Sequence, residues 1–128
     1  MTTSQILREY KVIAVAGLSS NPLRPSFGVA QYMQKHGYRI IPVNPAETEV
    51  LGEKSYATLL DVPDKVEIVN VFRRAEFVPA IVDEAIQIGA KCIWMQEGVV
   101  HDEAAAKARA AGLSVVMDRC LLKEHQRI

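Results

Sequence analysis

Three hydroxyl side chains, one guanidinium and two prolines crowd into the nine residues after Gly17, Leu18 to Ser26. Small polar side chains such as Ser19, Ser20 and Ser26 leave neighbouring backbone N–H groups accessible, and Arg24 adds a permanent positive charge. That donor set suits an anion with several oxygens, a phosphate above all. Its place in the chain points the same way. The apolar run Val12–Ala16 leads into Gly17, and a helical pattern begins just past Ser26. A buried strand, a small-residue loop and a helix N-terminus together make a phosphate site. Gly17 would let a ligand approach the backbone. The next glycine is Gly28, so the G-x-G-x-x-G spacing of an ordinary dinucleotide loop is absent.

Other reactive side chains are scattered. His36 precedes Gly37 at the end of a helical pattern, where an imidazolium complements the helix C-terminus. His101 follows Gly98, Val99 and Val100 and is the histidine to weigh as a general base, with Glu97 as a carboxylate alternative. His125 lies in a C-terminal segment with Lys123 and Arg127, where a solvated or interface role fits. No two histidines have metal-ligand spacing, and Cys92 and Cys120 form no C-x-x-C, so no metal is expected. Cys92 opens one strand and Cys120 follows the next, too far apart for a disulfide. Cys120 reads as buried, or else as a thiol facing the ligand side beside Asp118 and Arg119. Asp118 reads as a turn-ordering carboxylate, and Trp94 as core with an N–H that needs a partner.

The elements that must position these groups follow from periodicity. Five short runs, Val12–Ala16, Arg39–Val43, Ile68–Phe72, Cys92–Met95 and Ser114–Met117, are apolar on successive residues, as in strands buried on both faces. Helical patterns cover Phe27–His36, Glu76–Ile88 and Asp102–Ala111, each stopped by a glycine (Gly37, Gly89 and Gly112). Shorter helices are expected at Ser4–Tyr10 and Leu121–Gln126, and another at Tyr56–Leu60. The alternation predicts an α/β fold with a five-stranded, doubly wound parallel sheet. Right-handed crossovers suggest strand order 3-2-1-4-5, with the ligand crevice between the first and fourth strands. The strand ends would then gather Gly17–Ser26, Asn44–Pro45, Phe72–Arg74, Gln96–Gly98 and Asp118–Cys120.

The second strand ends in Val43, Asn44 and Pro45, where an NAD site carries an acid for the ribose. The nearest acid, Glu47, stands two residues further on in a separate turn, which counts against NAD. Phe72 with Arg73 and Arg74 offers an aromatic face and two guanidinium groups, suited to adenine and phosphate.

With 128 residues, a single domain spanning residues 1–128 is expected. Fifteen basic and fifteen acidic residues give zero formal charge, so nothing global favours nucleic acid. No apolar run reaches membrane-spanning length and the N-terminus lacks a signal peptide's apolar region, so a cytoplasmic protein is expected. Oligomeric state stays open.

Taken in order, V-A-G-L-S-S-N-P-L-R-P-S-F-G-V-A-Q-Y-M, G-Y-R-I-I-P-V-N-P, V-F-R-R, W-M-Q-E-G and D-R-C-L-L-K-E-H resemble the small CoA-binding domain proteins. These are single-domain relatives of the Rossmann-like CoA-binding domain in the succinyl-CoA synthetase alpha subunit. The resemblance runs from Val12 to Ile128 and implies coenzyme A or an acyl-CoA as ligand. It implies that Gly17, Ser19, Ser20, Arg24 and Ser26 hold the phosphates. Asn44, Pro45, Phe72 and Arg73 would border the adenosine, and Gln96, Glu97 and Gly98 the pantetheine arm. A non-catalytic binding module is the expectation. The alternatives are a small nucleotide- or acyl-CoA-dependent enzyme using His101, Glu97 or Cys120, and an interaction subunit that has lost the ligand.

Overall fold

The computed structural model describes residues 1–128. Five parallel strands, β1 (Val12–Ala16), β2 (Arg39–Val43), β5 (Ile68–Val71), β6 (Cys92–Met95) and β7 (Ser114–Val116), form the main sheet in the order β2-β1-β5-β6-β7. A small hairpin, β3 (Glu49–Val50) with β4 (Glu53–Lys54), lies in the β2–β5 connection. The expected strands are therefore present, but their order is not. In sequence rank the sheet reads 2-1-3-4-5, so the crevice where the winding reverses lies between β1 and β5.

The reason lies in which face the second crossover covers. Ile13 and Val15 of β1 pack with Ile6, Leu7, Val29, Met33 and Leu121, which places α1 (Thr3–Glu9), α2 (Pro25–Lys35) and α5 (Leu121–His125) on one face. Ala14 belongs to the cluster of Val78, Val82, Ala104 and Ala108 on the other face, under α3 (Val78–Gln87) and α4 (Asp102–Ala110). Leu59, in the β2–β5 connection, is fully buried in this second cluster. A right-handed crossover on the face opposite α2 must move the chain to the other side of β1. Order 3-2-1-4-5 would need that connection on the α2 face.

Within the same connection, no helix forms at Tyr56–Leu60. Tyr56 is extended, its N–H donating to the Pro42 carbonyl at 3.1 Å and its carbonyl accepting from Asn44 at 2.8 Å. A single 3₁₀ turn follows at Leu59–Asp61. The Glu76–Ile88 pattern divides into a 3₁₀ turn, Ala75–Phe77, and α3. Gly37, Gly89 and Gly112 each stop a helix in the left-handed conformation. Thr2 and Gln5 cap α1 reciprocally. No helix is long and apolar enough to cross a membrane.

Candidate functional site

The loops at the carboxyl ends of β1, β2 and β5 enclose a hollow of about 520 Å³ lined by Gly17, Ser19, Arg24, Ser26, Asn44, Pro45, Glu47, Phe72 and Arg73, among others. A second hollow of about 500 Å³ runs from Phe72 and Arg73 past Pro25 and Val29 to Gln96, Glu97, Gly98 and Cys120. Pro25, Phe72 and Arg73 line both, so the two form one groove across the switch point. Eleven of the twelve residues expected at the site line it. The exception is Ser20, which lines neither hollow.

Gly17 has φ +91°, and a Cβ there would lie 2.5 Å from the Phe72 carbonyl oxygen and 2.8 Å from Arg73 Cδ. The glycine is thus required by the adjoining β5 end, and the space the sequence reading assigned to a ligand is filled by protein. The loop after it is also less open than expected. Ser19 N–H donates to Ser26 Oγ at 3.1 Å, Asn21 N–H to Ser19 Oγ at 3.0 Å, and Leu23 N–H to Asn21 Oδ1 at 3.0 Å. Arg24 N–H donates to the Asn21 carbonyl at 3.0 Å. Ser20 N–H reaches outside the loop, to Glu47 Oε2 at 2.7 Å. Pro25 opens α2 without an N–H, leaving the next N–H, that of Ser26, without a backbone or side-chain acceptor at the helix start. The guanidinium groups of Arg24 and Arg73 take part in none of the ion pairs. Arg73 lies over the Phe77 ring, its Cζ 4.2 Å from the centroid.

Glu47 corrects the sequence reading. An Asn44-centred turn, closed by Ala46 N–H to Asn44 Oδ1 at 3.0 Å and Glu47 N–H to the Asn44 carbonyl at 3.2 Å, folds the chain back so that Glu47 lines the first hollow. Asn44 Nδ2 donates to the Leu18 carbonyl at 3.1 Å, so this side chain ties two loops together. An Asn-Pro after a strand signals such a turn, but nothing in the sequence says which loop the returning acid meets.

Deeper in the groove, Gln96 is buried and its Oε1 accepts from Asn70 Nδ2 at 3.2 Å and from Leu121 N–H at 3.4 Å. With its oxygen held inward, the amide nitrogen is left for the groove. Asn70 is completely buried, and its Oδ1 has no partner.

Of the three residues weighed for catalysis, Glu97 and His101 are engaged by other protein groups, whereas Cys120 is a free thiol at the groove. Glu97 binds Lys123 Nζ at 2.9 Å, and that hydrogen bond raises the lysine pKa. His101 lies outside the groove as the cap of α4, its Nδ1 accepting from Ala104 N–H at 3.0 Å. It lines a separate cleft between α3 and α4. Asp118, at φ +58°, accepts from Gly98 N–H at 2.7 Å and so orders the 96–98 turn. Neither Asp118 nor Arg119 lines the groove, whereas Cys120 does. Cys92 is buried in the sheet, which pushes its thiol up to about 12. Both cysteines are free. Trp94 Nε1 donates to the Arg119 carbonyl at 2.8 Å.

An α/β sheet wound in this way, with a groove across its switch point, has the Rossmann-like architecture of nucleotide-binding folds. The family model for the CoA binding domain matches residues 11–126, and the chain belongs to that family. It is 42% identical to the uncharacterized protein YneT of Bacillus subtilis (strain 168), over 94% of this chain and 90% of that protein. A solved structure from Pyrococcus horikoshii OT3 superposes with a TM-score of 0.95 at 42% identity, covering 99% of this chain and 92% of that one. The acetate–CoA ligase (ADP-forming) II of Archaeoglobus fulgidus is 34% identical over 63% of this chain, a stretch amounting to 12% of the ligase.

Proposed function

We propose that this chain is a non-catalytic module that binds coenzyme A or an acyl-CoA in the groove across the switch point. The observation that carries the reading is the groove's two-part form: a polar hollow with Arg24 and Arg73, continuous with a second hollow that runs to Gln96 and Cys120. Coenzyme A has the same division, a phosphate-rich nucleotide at one end and a thiol-tipped arm at the other. The phosphates lie against Arg24, Ser19, Ser26 and the α2 N-terminus, the adenosine against Pro45 and Phe72. Arg73 sits where the two hollows join, and the arm follows Gln96 and Gly98. Family membership supports the ligand class. The engagement of Glu97 with Lys123 and of His101 with the α4 cap supports binding without turnover.

Thermal unfolding with CoA, dephospho-CoA, NAD and ATP tests the choice of ligand. A ligand at one hundred times its dissociation constant adds about 2.7 kcal/mol. CoA is expected to raise the midpoint, dephospho-CoA to raise it less, and NAD to leave it unchanged. A shift with NAD alone would overturn the reading.

A further inference from the structure

We propose that the Glu47 carboxylate, which lines the anion hollow and is anchored there on the Ser20 N–H, is an internal competitor that disfavours a ligand phosphate in that hollow. The proposal rests on the CoA reading for the identity of the ligand. From Leu18 to Arg24, every N–H donates to an acceptor between Val15 and Ser26 except one. The exception is Ser20, whose N–H is held at 2.7 Å by Glu47 Oε2 from the turn after β2. Of the acceptors in this loop it alone is a carboxylate. It lies in the wall of the hollow that also holds Arg24 and Arg73.

Glu47 makes no ion pair of its own. Its negative charge therefore faces the hollow that the phosphates would enter, without a direct contact to the guanidinium groups of Arg24 or Arg73. The two anions repel. The neighbouring N–H groups are bonded within the loop and stay so, whereas the Ser20 donor is released by a side-chain rotation alone. Binding accordingly releases Glu47 from Ser20, while the Asn44 bond to the Leu18 carbonyl still holds the two loops together. Glu47 lowers affinity for polyanionic ligands.

The test is calorimetric titration of the wild-type chain and Glu47→Gln with CoA, at about 50 mM and about 500 mM salt. Glutamine keeps a neutral acceptor for Ser20 N–H, so the loop stays folded while the charge is removed. One unit charge about 4 Å away in water is worth about a fivefold change in affinity. Glu47→Gln is expected to bind CoA about fivefold more tightly at low salt, with the gain shrinking at high salt as the charge is screened. Equal affinity overturns the proposal, and so does weaker binding, which would make Glu47 an acceptor for ligand hydroxyls. If neither protein binds CoA, the CoA reading falls, and inorganic pyrophosphate decides the competition. Tighter pyrophosphate binding by the variant upholds it, whereas equal binding or none overturns it.

Discussion

Gly17 and Asp118 are the residues whose backbone conformation shapes the groove from its two ends. A methyl group at Gly17 would meet the Phe72 carbonyl oxygen at 2.5 Å in a conformation that side chains resist. Left-handed strain and overpacking each cost about 1–3 kcal/mol. Gly17→Ala is therefore expected to lose about 2–4 kcal/mol in urea denaturation, and wild-type stability would contradict this account of the β1–β5 approach. At Asp118, the carboxylate holds Gly98 N–H from a left-handed residue. Asparagine tolerates that conformation and retains an acceptor, whereas alanine does neither. Asp118→Ala should cost about 1–2 kcal/mol and Asp118→Asn distinctly less. Equal losses would show that the bond to Gly98 is immaterial. Gly17 was visible in the sequence as a glycine after an apolar run, but the atom that excludes a side chain belongs to Phe72, far along the chain. Glu47 was visible only as an acid in the wrong place, because its contact with Ser20 spans two loops.

Among the elements, the joint between α2 and α5 carries a cluster of titratable rings. His125 Nδ1 lies 2.7 Å from Tyr32 Oη, and its ring is 5.0 Å from that of His36 and 5.6 Å from that of Tyr38. Lys11 Nζ sits over the Tyr38 ring. Burial, His36 and Lys11 together lower the His125 pKa from its ordinary 6.5. A histidine with a depressed pKa binds its proton more readily in the unfolded chain, so the fold is favoured above about pH 6.5 and loses that support as pH falls toward the folded-state value. The melting midpoint should drop on going from about pH 7.5 to about pH 5.5, and less steeply in His125→Gln. An identical pH profile in the variant would place the titration elsewhere. Helix ends and strand cores were legible because each glycine stop and apolar run is local. The β3–β4 hairpin and the 3₁₀ turns were not, since their few residues have no period to read.

At the scale of the whole molecule, the winding of the sheet decides where a ligand can lie. Right-handed crossovers alone allow β5 on either side of β1, and the choice rests on Leu59 packing under α3 rather than against α2. That is a tertiary contact, and strand order could not be had without it. The groove residues were nonetheless legible, because every strand of a parallel sheet ends on the same side whatever the order. Ser20 was assigned by adjacency in sequence, and its N–H turns to Glu47 instead. The central claim is that this groove takes coenzyme A with its phosphates at Arg24, an exposed residue that caps α2 through backbone alone. Calorimetric titration of CoA into the wild-type chain and Arg24→Ala tests it most directly. The account predicts saturable binding at one site, weakened about tenfold or more by the loss of a charge-assisted contact worth about 1.5–3 kcal/mol. No saturation at millimolar CoA, or equal affinity in the two proteins, would contradict it.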